Sequence, residues 1–118
     1  MADSPQVLNR QSLQVLLDLG LGIEAVADIV AIFRDDVPQR LVRVELAIQK
    51  GDLRTVEIEG HGLKGGTGNL GLEAFSALSR DLEKAAKEGR AEEAQAIMPQ
   101  LTVAYGEASE AIREAFGV

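Results

Sequence analysis

The chain contains no cysteine and no tryptophan. Disulfides and thiolate chemistry are therefore excluded, and nothing points to an oxidising compartment. Long hydrophobic runs are also missing. The first thirty residues lack a basic start followed by an apolar stretch, and no segment approaches the roughly 18 uncharged apolar residues that a membrane helix needs. These absences lead us to expect a cytoplasmic protein without a membrane anchor. Basic residues are outnumbered, 12 against 19 acidic, for a formal net charge of −7. A nucleic-acid binder needs a basic face, and single-strand binding needs exposed aromatics. The four aromatic residues, Phe33, Phe75, Tyr105 and Phe116, each fall within an apolar helical stripe, so nucleic acid is not an expected partner. Histidine occurs once, at position 61.

Apolar residues recur at three- and four-residue steps over most of the 118 residues, and strand signals are poor. One short helix is predicted over about 12–19 and a second over about 23–34. Asp36 is suited to cap a third, with Pro38 in its first turn, and Arg34-Asp35-Asp36 then reads as a solvated helix end. A fourth helix follows Asp52, a fifth begins near Leu72, and a sixth runs over about 91–115 with a kink or break at Pro99. The expected fold is all-α: an antiparallel up-down four-helix bundle over about 37–116, with short extra N-terminal helices over about 9–35. The whole, 1–118, is read as a single domain. A chain of this size buries roughly 65% of its unfolded surface and needs no metal to fold.

The chemistry concentrates in Gly60-His61-Gly62-Leu63-Lys64-Gly65-Gly66-Thr67-Gly68-Asn69-Leu70-Gly71, which holds six of the chain's twelve glycines. Glycine opposes a helix by about 1 kcal/mol relative to alanine, so this enrichment calls for an offsetting benefit. On a helix, Glu57, Lys64, Gly65 and Gly68 share the face of His61. The ring then stands away from the stripe Leu53, Val56, Gly60, Leu63, with a cation one turn away and little bulk around it. Neutral imidazole is a nucleophile at physiological pH, and Lys64 would offset the charge of an arriving phosphoryl group. Counting outward from the turn near Leu70-Gly71 sets His61 opposite Arg80 to Glu83. Glu83 is thus placed to accept a hydrogen bond from one ring nitrogen and leave the other free.

Other readings carry less weight. Gly66 to Gly71 matches the dinucleotide fingerprint G-x-G-x-x-G, but no strand precedes it. Glu57 and His61 form an i,i+4 pair of metal-ligand types, yet one histidine and no cysteine leave too few ligands, and no metal is expected. A glutamate beside Lys84 also suits an ordinary exposed ion pair.

The run His61-Gly62-Leu63-Lys64-Gly65-Gly66-Thr67-Gly68-Asn69-Leu70-Gly71 resembles the signature of histidine-containing phosphotransfer domains, and Leu78, Leu82 and Glu83 are similar to that family's next helix. The resemblance extends from about Ile29 to the C-terminus. It departs at Gly60, where alanine is common, and at Gly62, where a larger residue is usual. It implies phosphorylation of His61, with Lys64 close to the phosphoryl group, Glu83 contacting the ring and Gly65 giving a partner room to dock. Gly68 and Leu72 are further docking candidates, with Leu19 another. The implied partners are receiver domains of hybrid histidine kinases and response regulators. The bundle itself accounts for the apolar stripes, so a monomer is expected, and no appended domain is visible, so a free-standing carrier is expected. It would hold no cofactor, with Mg²⁺ residing in the receiver. No nucleotide-binding loop is present, so ATP-dependent self-phosphorylation is not expected. Two alternatives remain open: the substrate domain of a chemotaxis-type kinase, and a helical adaptor that is never phosphorylated.

Overall fold

The computed structural model describes residues 5–118, so the first four positions of the expected domain lie outside the described residues. Among the described residues five helices follow one another: α1 (Gln11–Asp18), α2 (Ile23–Gln49), α3 (Leu53–Gly68), α4 (Glu73–Lys87) and α5 (Ala91–Phe116). Helices α2 to α5 form the bundle, each packing on its neighbours in the chain, and α5 closes the ring against α2. The inward faces follow the helical period. Val26, Val30, Phe33, Val37, Leu41, Val44 and Ala47 of α2 are buried, and Ile97, Leu101, Ala104, Ala108 and Ile112 of α5 face them. No described helix is long and apolar enough to cross a membrane.

The expected break before Pro38 is absent, because the second and third predicted helices are one continuous α2 of 27 residues. Proline removes the donor that would bond the carbonyl four residues back. That carbonyl belongs to Arg34, and it instead accepts from Tyr105 Oη of α5 at 3.4 Å. Packing against α5 thus compensates for the lost backbone bond. Asp36 accordingly is no cap: it lies inside α2 and accepts from Arg40 Nε at 2.7 Å. Nor is Arg34 a solvated end. Its guanidinium donates to Ser109 Oγ at 2.8 Å and to the Val118 carbonyl. Helix α5 likewise continues without a break through Pro99.

Among the described residues only one short helix, α1, therefore precedes the bundle. The N-terminal segment is tied to the α3–α4 turn by Asn9 N–H donating to the Gly71 carbonyl (2.7 Å) and Ala74 N–H donating to the Gln6 carbonyl (2.8 Å). Gly71 has φ +79°, and a Cβ there would strike the Asn9 carbonyl and lie 2.8 Å from Ser12 Oγ. Glycine meets both demands at once, the left-handed turn and the close approach.

Candidate functional site

Asp52 starts α3 as expected, its carboxylate accepting from Thr55 N–H (3.1 Å) and Thr55 Oγ1–H (2.6 Å). These bonds hold the Asp52 carboxyl below the usual carboxylate range. From this start the period turns Val56, Gly60, Leu63 and Thr67 inward. His61, one step round the helix, emerges toward α4 with 68% of its side chain exposed. Its Nδ1 lies 3.0 Å from Glu83 Oε2. The other oxygen of the same carboxylate, Oε1, pairs with Lys64 Nζ at 2.9 Å. The structure therefore brings together His61, Lys64 and Glu83, with one carboxylate bridging the ring and the cation.

The hydrogen bond from Lys64 holds the Glu83 carboxyl below the ordinary glutamate range; partial burial opposes this and the contact with His61 adds to it. An ionised carboxylate has only acceptors to offer. In a neutral ring, Nδ1 is then the nitrogen that carries the proton shared with Glu83, and the lone pair lies on Nε2.

The glycines divide by role. Gly60 lies under the site, where a Cβ would come within 3.1 Å of the Glu83 backbone nitrogen and 3.2 Å of its Cα. This close approach of α3 and α4 delivers Glu83 to the ring. Gly65 and Gly66 have nothing within 4 Å of where a Cβ would stand, so the surface beyond His61 is bare. Gly68 is exposed too, with Ser76 Oγ 3.7 Å from its Cβ direction. Beside this clearing, an apolar groove between α2 and α3 is lined by Ile29, Ile32, Phe33, Gly62, Gly66 and Leu70. Ile32 is largely exposed at its edge.

Leu72 is misplaced by the sequence reading. It is the N-cap of α4 with 0% exposure, part of the core and not of any docking face, because the N-terminal segment covers the turn it occupies. Leu19, after α1, is exposed. Glu57 pairs with Arg54 at 3.8 Å. Among the described residues no group of three or more histidine, cysteine, aspartate or glutamate side chains is placed to hold a metal ion.

Sequence reasoning missed Glu59. This residue is buried, and its carboxylate accepts from Arg40 Nη1 (2.9 Å) and Arg43 Nε (2.9 Å) across the α2–α3 seam. The available signal was its spacing: Glu59 stands three residues after Val56 and four before Leu63, a charge on an apolar stripe.

The Hpt domain model matches residues 28–114, about three quarters of the chain. The chain belongs to the Hpt domain family. It is a histidine phosphotransfer protein of phosphorelay signalling. The fold of this Hpt domain is similar to the crystal structure of histidine-containing phosphotransfer protein B from Pseudomonas aeruginosa PAO1, with a TM-score of 0.86, 22% sequence identity and 97% of each chain covered. A comparison with curated proteins finds no match. Hpt domains are phosphoryl carriers that work with receiver domains.

Proposed function

We propose that this Hpt domain carries a phosphoryl group on Nε2 of His61 and exchanges it with the aspartates of receiver domains. The observation that carries the reading is the bridging carboxylate of Glu83, on His61 Nδ1 at 3.0 Å and on Lys64 Nζ at 2.9 Å. A neutral imidazole whose Nδ1–H is taken up by a carboxylate directs its remaining lone pair outward. In the forward step that lone pair attacks the phosphorus of a receiver's aspartyl phosphate. The N–P bond forms as the P–O bond to the aspartate breaks, and the aspartate leaves as a carboxylate. The phosphorylated ring is cationic while Nδ1 keeps its proton, and Glu83 stabilises that charge. Lys64, partly exposed beside the ring, offsets the anionic phosphoryl oxygens.

Return of the group to a second receiver is the same step reversed, so the carrier needs neither nucleotide nor metal of its own. Mg²⁺ belongs to the receiver's acidic pocket. The bare surface at Gly65, Gly66 and Gly68 lets the receiver's pocket reach the ring, and the Ile32-edged groove supports docking at the α2 side.

The test incubates the protein with receiver domains carrying labelled aspartyl phosphate. Label is expected to move to the Hpt domain in a bond that acid breaks and base spares. Label acquired only from a chemotaxis-type ATP-binding module, and from no receiver, would oppose the shuttle reading. No label from any donor would favour an adaptor.

A further inference from the structure

We infer that Arg40 is a positioning residue for the phosphoacceptor, acting through the backbone of Gly62 beside His61; the inference rests on the proposed role of that histidine. Arg40 sits on α2, where its Nε donates to Asp36 Oδ2 (2.7 Å) and its Nη1 donates to Glu59 Oε1 (2.9 Å). Glu59 is itself fixed from the other side by Arg43 Nε at 2.9 Å. The guanidinium is thus held in one orientation by two carboxylates on two helices. It lies in the space where a side chain at position 62 would begin. A Cβ on Gly62 would come within 2.7 Å of Arg40 Cζ and 3.2 Å of Nη2, and would collide with Nη1.

Two glycines flank His61, and helical glycine is conformationally costly. The structure fills the space of each from a different element. Backbone of α4 at Glu83 fills that of Gly60, and the Arg40 guanidinium fills that of Gly62. The turn of α3 bearing the nucleophile is therefore braced from both sides, whereas Gly65 and Gly66, further along, have open space. Charge separates bracing from phosphate attraction. Asp36 and Glu59 balance Arg40 and Arg43, so the cluster offers an arriving anion no net positive charge. Its contribution is shape.

The deciding experiment combines Gly62→Ala with Arg40→Met. Gly62→Ala adds one methyl and displaces the guanidinium, although the same change in an open helix would be favourable. The rate of transfer at saturating receiver is expected to fall about tenfold, the scale of a misplaced reacting group, while the KM for the receiver stays unchanged. Arg40→Met should give a similar loss, Arg40→Lys should not rescue it, and the double variant should be no slower than either single one. In each slow variant, before any phosphorylation, ¹⁵N spectra of the ring should show a reduced population of the Nδ1–H tautomer. That readout stands even where a receiver fails to transfer, so it separates this inference from the proposed function. A full rate in Gly62→Ala, losses that multiply in the double variant, rescue by lysine, or an unchanged tautomer in the slow variants would each overturn it.

Discussion

A His61→Gln variant is expected to accept no phosphoryl group from any receiver while unfolding within about 2 °C of the parent. The two halves of this expectation rest on different features of the ring. Its side chain is 68% exposed, and among the described residues its one side-chain hydrogen bond is to Glu83. Surface replacements of that kind change stability by no more than about 0.5 kcal/mol. Chemistry, by contrast, is lost entirely. The glutamine amide nitrogen can donate to Glu83 as Nδ1 does, but it has no nucleophilic lone pair, and the carbonyl oxygen is a poor one. Transfer assays with labelled receivers and thermal unfolding of both proteins check the two halves separately. Label on the glutamine variant would move the acceptor to another residue.

Gly60→Leu is expected to damage stability and transfer together. The glycine is buried, and a Cβ there already presses on the backbone of Glu83 at 3.1 and 3.2 Å. Backbone cannot swing aside as a side-chain tip can, so a leucine must push α4 away from α3. Overpacking of this kind costs about 1–3 kcal/mol, which lowers the Tm of a domain this size by roughly 5–15 °C. The displaced segment carries Glu83, so the ring loses its hydrogen-bond partner and transfer slows in the protein that remains folded. Gly60→Ala should be close to neutral, since the gain of about 1 kcal/mol in helix propensity offsets the tight contact. Unfolding curves and transfer rates for both variants check this. A stable, fully active leucine variant would show that the approach of α3 to α4 does not position Glu83.

The sequence made the His61 site legible for a geometric reason. Helical steps set Lys64 on the face of His61, and equal counting away from the α3–α4 turn reaches Glu83, because paired straight helices keep register over three turns. What the sequence hid depends on contacts remote in the chain. The continuity of α2 through Pro38 relies on Tyr105, 71 residues beyond the Arg34 carbonyl it serves. Leu72 reads as a surface residue beside a glycine turn until the N-terminal segment, more than sixty positions earlier, is laid over that turn. Gly62 looks like a weakness in α3 because the group that fills its space, Arg40, belongs to α2. Glu59 marked that same seam through its place on the apolar stripe, but its partners could be named only once the two helices were set side by side.

The direct test of the mechanism is to find which atom holds the phosphorus. The ¹⁵N-labelled Hpt domain, phosphorylated from a receiver, is examined for ³¹P–¹⁵N coupling and for the protonation of each ring nitrogen. Phosphorus bonded to Nε2 of His61, with Nδ1 still protonated toward Glu83, is the expected result. Phosphorus on Nδ1, or on any residue other than His61, would contradict it.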